Sequence, residues 1–211
     1  MLRFLYADEL KDYPRLASGM FTDRADQFHT RLGWEVNVGA DGYEQDEYDA
    51  MNPLYVIWET PEGQHGGSMR FLPSTGPIMV NDHFSHLLCG PITSPLIWEC
   101  TRFCLARSAG PHVAAALMLG GGEIMKGFGI KHFVGVFDAR MVRICKRVGS
   151  SPEILGTDGE GQAAISVGLW EFDDASQSRL AIRAGIDPAL TARWFQRAFG
   201  HQPTQDFAKA G

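Results

Sequence analysis

Leu96-Ile97-Trp98-Glu99-Cys100-Thr101-Arg102-Phe103-Cys104-Leu105-Ala106 is an apolar run broken by one acid and one base. It reads as a buried strand over Leu96–Ala106. What surrounds it decides the fold class. Downstream, Val113–Phe128 reads as a helix, His132–Phe137 as a strand and Ala139–Val148 as a helix. Upstream, Leu2–Tyr6, Leu54–Glu59 and Gly67–Leu72 read as strands, the last two joined by a turn at Pro61-Glu62-Gly63. Strands followed by a helix and then more strands and helices point to an α/β protein with a mixed sheet.

The remaining segments fit that frame. Leu10, Tyr13, Leu16, Met20, Phe21, Phe28 and Leu32 recur at helical spacing, with Pro14 and Gly19 breaking or bending the helix between Glu9 and Arg31. Gly39–Tyr48 reads as loop. Pro73–Pro95 is long and turn-rich, the length at which a loop is usually functional. Ile154–Leu155 and Ala163–Phe172 read as strands, and Ala175–Ala184 and Ala189–Phe199 as helices. A single domain over residues 1–200 is expected, with a polar tail over 201–211. Gly120-Gly121-Gly122 falls inside a predicted helix, where each glycine costs ~1 kcal/mol relative to alanine; periodicity offers no reason for it.

The chain has 211 residues, 45% hydrophobic and 21% charged, ordinary values for a globular protein. A formal net charge of −6 argues against a general nucleic-acid binder, which needs excess Lys and Arg to neutralise phosphates. No stretch approaches the ~18–20 apolar residues that span a bilayer. Asp8 and Glu9 interrupt the N-terminus where a signal peptide would stay apolar, so a cytoplasmic location is expected. Cys89, Cys100, Cys104 and Cys145 form no Cys-x-x-Cys pair and are expected as reduced thiols.

Several charged residues sit in costly places. Period-two geometry puts Glu99 and Thr101 on one face of their strand and Trp98, Cys100 and Arg102 on the other, unless a β-bulge re-aims one of them. Arg70 lies in an apolar strand, where a charge needs a partner. Glu44-Gln45-Asp46-Glu47-Tyr48-Asp49 holds four acids in six residues. That cluster reads as a solvated loop, a hard-cation site or a site for an organic cation; the glycine and glutamate placement of a calcium loop is missing. Arg24, Phe28 and Trp34 have the spacing of a helix end. His83-x-x-His86 has no nearby ligand to complete a zinc set, and no Gly-x-Ser-x-Gly elbow is present.

Taken in order, Arg24, Phe28, Trp34, Asp46, Asp49, Arg70, Glu99 and Arg102, with Ser68-Met69-Arg70-Phe71-Leu72-Pro73 and Trp98–Phe103 around the last three, resemble the pattern of the N-acyl-homoserine lactone synthases, the LuxI-type autoinducer synthases. The resemblance is specific over about residues 20–105 and looser beyond. It implies a single three-layer α-β-α sandwich with a mixed sheet, similar to the N-acetyltransferase (GNAT) superfamily. It implies S-adenosylmethionine as a substrate, an acyl thioester as the donor, and no metal or prosthetic group. Acyl carrier protein is the expected donor partner: Arg107-Ser108-Ala109-Gly110-Pro111 lacks the Gly-rich turn that cradles a coenzyme A pyrophosphate, and Pro111 removes a backbone donor. Coenzyme A stays open as the donor.

Roles follow from the same resemblance. Glu99 is expected as the general base, with Arg102 and the backbone N–H of Phe103 completing the catalytic set. Arg24, Phe28, Trp34, Asp46, Asp49 and Arg70 are expected at the S-adenosylmethionine site. Met118, Met125, Phe133 and Gly135 are expected in the acyl pocket. Gly135 aligns where a threonine accompanies 3-oxo chains, so unsubstituted or 3-hydroxy chains are expected. The helix bearing Arg140, Arg143, Lys146 and Arg147 is expected to dock the acidic carrier protein. Two alternatives remain at this point: a coenzyme A-dependent N-acyltransferase acting on another amine, and a non-catalytic ligand-binding domain on the same scaffold.

Overall fold

The computed structural model describes residues 1–200; the expected tail over 201–211 lies outside the described residues. The strands are β1 (Leu2–Tyr6), β2 (Leu54–Glu59), β3 (His65–Pro73), β4 (Ile97–Leu105), β5 (His132–Asp138), β6 (Glu153–Asp158) and β7 (Ile165–Trp170). The helices are α1 (Pro14–Arg24), α2 (Met79–His83), α3 (Val113–Phe128), α4 (Ala139–Val148), α5 (Asp174–Ala184) and α6 (Pro188–Phe199). The strands form one mixed sheet in the order β1-β2-β3-β4-β5-β7-β6. Among the described residues only β4 and β5 pair in parallel.

Alternation along β1 assigns the layers. Leu2 and Phe4 face the cluster built on Leu117, Ile124 and Met125 of α3, while Leu5 faces Leu16, Met20 and Phe21 of α1. α3, α5 and α6 therefore cover one face, and α1 with α2 the other. This is the expected three-layer arrangement with a mixed sheet. Asp138 caps α4 by accepting from the Arg140 and Met141 N–H groups, and Asp173 caps α5 through Ser176.

Several boundaries differ from expectation. Pro14 takes the first position of α1, where its missing N–H costs nothing, and a separate 3₁₀ turn over Ala7–Asp12 precedes it. α1 then widens into a π-helical stretch over Ala25–Arg31. Pro73–Pro95 is not all turn: it holds α2 and a 3₁₀ turn at Ser85–Leu87. β6 runs longer than Ile154–Leu155 because it is an edge strand paired to β7 alone, with Ile154 and Leu155 exposed, so its period carries no burial signal. The described cysteines are free thiols.

The feature that positions the site is a split in the sheet. β4 and β5 pair only over Ile97↔His132, Trp98↔Phe133 and Glu99↔Val134. Beyond Glu99 the strands diverge. On its other edge, β4 carries one extra residue against β3 between Thr101 and Cys104. That bulge places Arg102 at φ +52°, a left-handed conformation rare for a residue with a side chain.

Candidate active site

The bulge resolves the alternation problem on β4. Glu99 and Thr101 face the α1–α2 side, and the left-handed residue turns Arg102 to the same side. Arg102 Nη2 lies 2.9 Å from Glu44 Oε1 and 2.6 Å from Asp46 Oδ2. Glu99 and Arg102 therefore share a face without forming an ion pair with each other.

Three guanidiniums and three carboxylates interlock here. Arg24 donates to Glu44 at 2.6 Å and takes Asp49 in a two-pronged grip at 2.9 and 2.8 Å. Arg70 bridges Asp46 and Asp49, with its Nε donating to the Thr101 hydroxyl at 3.0 Å. Glu44 and Arg24 are fully buried. The set balances its own charge, which is the condition for burying so many ions. The acidic stretch is thus not a solvated loop: three of its four acids, Glu44, Asp46 and Asp49, face arginines. A 3₁₀ turn over Glu47–Met51 makes this possible, with Asp46 accepting from the Tyr48 N–H and Asp49 from the Asp46 N–H. Burial opposes ionisation of Asp49, but the Arg24 hydrogen bonds and the charges of Arg24 and Arg70 override it and hold the carboxyl well below its usual range. Among the described residues no group of His, Cys, Asp or Glu has the arrangement to hold a metal. His83 pairs with Glu47 instead.

Glu99 has a different environment. It is 1% exposed, and its two oxygens accept from Val80 N at 2.7 Å and Met79 N at 3.1 Å. Burial pushes its carboxyl up to about 7, against the pull of those two N–H groups and of Arg70. A carboxyl poised near neutrality can gain or lose a proton at working pH.

Two clefts of opposite character meet at the split. The first is an apolar cavity of about 110 Å³ between α3, α4 and the diverging strands. Met118, Met125 and Phe133 line it, together with Met69, Phe71, Cys100, Gly121, Gly122 and Phe172. The second is an open cleft of about 780 Å³ with Trp34, Asp46, Tyr48, Met79 and Arg102 on its wall. Arg102, Val136 and Phe137 border both. Phe28 lies behind the open cleft, 3% exposed, stacked on Trp34 at 5.4 Å and facing the Arg102 guanidinium. Glu99 sits one residue behind the same wall, through its bond to Met79.

Gly135 needs correction. It does not line the apolar cavity; a Cβ there would lie 2.6 Å from the Cys100 carbonyl oxygen. Glycine lets β5 approach β4 before they part, so it adds no volume to the pocket. The adjacent Val136 is the cavity residue. Arg140, Arg143, Lys146 and Arg147 are exposed on α4, as a docking surface requires.

Sequence reasoning missed Glu44 as a network member, since nothing in the acidic stretch distinguishes it from the exposed Glu47. It also missed Gln27, whose side chain donates to Phe103 O at 2.8 Å and accepts from Leu105 N at 3.0 Å. That clamp ties the bulged end of β4 to the π-helical stretch.

Residues 9–180 match the family model of the autoinducer synthases. An acyl-homoserine-lactone synthase of Rhizobium etli is 40% identical over 204 residues, covering 90% of this chain and 96% of that protein. BjaI, a CoA-dependent acyl-homoserine lactone synthase solved with SAM and isopentyl-CoA, superimposes with a TM-score of 0.76 at 23% identity, over 88% of this chain and 90% of that one. A Lactobacillus plantarum protein assigned to the N-acetyltransferases shares the fold at a TM-score of 0.54 and 13% identity, over 81% of this chain and 99% of that one.

Proposed function

We propose, from the premise that this chain belongs to the autoinducer synthases and is an acyl-homoserine-lactone synthase, that it joins an acyl chain carried by acyl carrier protein to the amine of S-adenosylmethionine. The amide then closes to the lactone with release of methylthioadenosine. The observation that carries this reading is the pair of clefts meeting at Arg102, Val136 and Phe137. One is apolar and suits an alkyl chain. The other is open, aromatic and ionic, and suits a charged nucleoside. A reaction that couples two such substrates needs both to end at one point.

The steps follow from the chemistry. The methionyl amine must lose a proton before it attacks the thioester carbonyl, and Glu99 takes that proton, directly or through a water. The negative charge that develops on the carbonyl oxygen needs N–H donors, which the bulged backbone at Phe103 supplies. The tetrahedral intermediate collapses, the C–S bond breaks, and the thiol leaves with a proton. The substrate carboxylate then attacks the carbon beside the sulfonium. That C–S bond breaks with its electron pair going to sulfur, giving the lactone and methylthioadenosine.

Trp34 walls the nucleoside, with Phe28 behind it. Arg24, Arg70, Arg102, Asp46 and Asp49 form the frame that holds this wall, and Arg102 and Asp46 reach the substrate. Met118, Met125 and Phe133 hold the acyl chain. BjaI was solved with SAM, which supports that substrate. BjaI is also CoA-dependent, so the donor has its own test. Purified enzyme is given S-adenosylmethionine with matched acyl chains on carrier protein or on coenzyme A, and lactone and methylthioadenosine are both measured. Faster turnover with the carrier protein supports the reading. Preference for coenzyme A overturns the partner, and amide formed without methylthioadenosine overturns the reaction.

A further inference from the structure

We propose that Gly121 of α3 sets the depth of the apolar cavity, and with it the longest acyl chain the enzyme accepts. The proposal rests on the reading of that cavity as the acyl site. Three consecutive glycines in the middle of a helix weaken it relative to alanine, so each needs a reason. Two have a packing reason. A Cβ on Gly120 would lie 2.8 Å from Val56 Cγ1, and one on Gly122 would lie 2.1 Å from Phe172 Cζ. Val56 is fully buried and cannot retreat, and a Cβ on Gly122 would overlap the Phe172 ring at three of its carbons, so the whole ring would have to move.

Gly121 has no such reason. A Cβ there would meet Phe133 Cε2 at 3.4 Å, and Met69 Cε and Phe71 Cζ at 3.6 Å, which is ordinary contact. Its backbone is helical and is not among the positive-φ residues. Neither sterics nor dihedral angle calls for glycine. What a side chain would take is space in the cavity, because Gly121, Phe133, Met69 and Phe71 all line it. The cavity is only about 110 Å³, so a single added methyl removes a substantial share of it. Bare helix backbone is therefore the wall that leaves room for the chain's far end.

The test uses full-length Gly121→Ala and Gly121→Val with S-adenosylmethionine and a homologous series of straight-chain acyl donors. For Gly121→Ala, kcat/KM for the longest accepted chains falls relative to the shorter ones by about fourfold per methylene displaced. Gly121→Val moves the cut-off further. The KM for S-adenosylmethionine stays put, and the melting temperature of Gly121→Ala equals or exceeds that of the wild type. An unshifted chain-length profile, or an equal loss for every chain, overturns the role of Gly121 while the synthase reading stands. Failure of Gly121→Ala to fold overturns it too, because packing would then be what demands glycine. A wild-type enzyme indifferent to chain length overturns the acyl-cavity reading itself.

Discussion

The Val80 N–H donates to Glu99 Oε1 at 2.7 Å, from the first turn of a helix that covers the carboxyl. This contact, with its companion from Met79, keeps a buried acid available for ionisation near neutral pH. It also ties the proposed base to the wall of the open cleft, since Met79 lines that cleft.

Glu99→Gln is expected to lower turnover by ~10²–10⁴-fold, the usual range for loss of a general base. In the wild type, kcat/KM should rise with pH through about 7, as Glu99 loses its proton. The residual activity of Glu99→Gln should lack that limb. Wild-type-like lactone formation by the folded variant would remove Glu99 from the mechanism.

The same substitution should remove the pH dependence that Glu99 gives the fold. Burial raises the folded carboxyl to about 7, from an ordinary value of 4.5. The folded state therefore binds more protons between those values, and stability falls as pH rises through that window. The penalty is complete above pH ~7 and amounts to about 3 kcal/mol, at 1.36 kcal/mol per unit. Urea unfolding at pH 5 and pH 8 should show a fall for the wild type that is smaller in Glu99→Gln. Equal slopes would mean that Glu99 does not titrate in that range.

Glu44→Ala should destabilise the protein by ~3–5 kcal/mol, because it strips a partner from Arg24 and Arg102 at once. Asp49 works with the opposite pH sign to Glu99. Its depressed carboxyl stabilises the fold above its unfolded value, and that contribution is lost as pH falls toward its folded one. Denaturation midpoints for Glu44→Ala and the wild type at neutral pH check the first point. A variant within about 0.5 kcal/mol of the wild type, the spread of neutral surface changes, would show the network to be dispensable.

Charge reversal at Arg143 and Arg147 should raise the KM for acyl carrier protein and leave that for S-adenosylmethionine unchanged. Both are exposed on α4, and complementary charge acts mainly on encounter, so the effect should fade with added salt. An unchanged KM for the carrier protein would move the docking site elsewhere.

Gly135→Thr should destabilise the protein without creating a preference for 3-oxo chains. Its side chain would start 2.6 Å from the Cys100 carbonyl oxygen and would push β4 and β5 apart at their junction. Lactones from the wild type are expected to be unsubstituted or 3-hydroxy. A switch to 3-oxo products in a stable Gly135→Thr enzyme would place the threonine hydroxyl in the acyl site after all.

Much of this protein was readable along the chain. The strand and helix order, β1 at Leu2–Tyr6, α3 at Val113–Phe128 and the mixed α/β class follow from local period and apolar content, which neighbouring residues alone determine. The ordered charges and aromatics identified the family, because residue type and spacing are sequence properties. Tertiary structure decided the rest. Whether Arg102 faces Glu44 depends on a bulge, and a bulge is a mismatch between two strands that neither strand contains alone. Which acids of the Glu44–Asp49 stretch are buried depends on arginines from α1, β3 and β4, far away in the chain. The glycines make the same point. Gly120, Gly121, Gly122 and Gly135 look alike in sequence, yet one meets Val56, one meets Phe172, one meets a strand carbonyl and one meets, at ordinary contact distance, side chains that line a cavity. A residue without a side chain takes its meaning from what lies opposite it, and only the folded chain brings that neighbour into place.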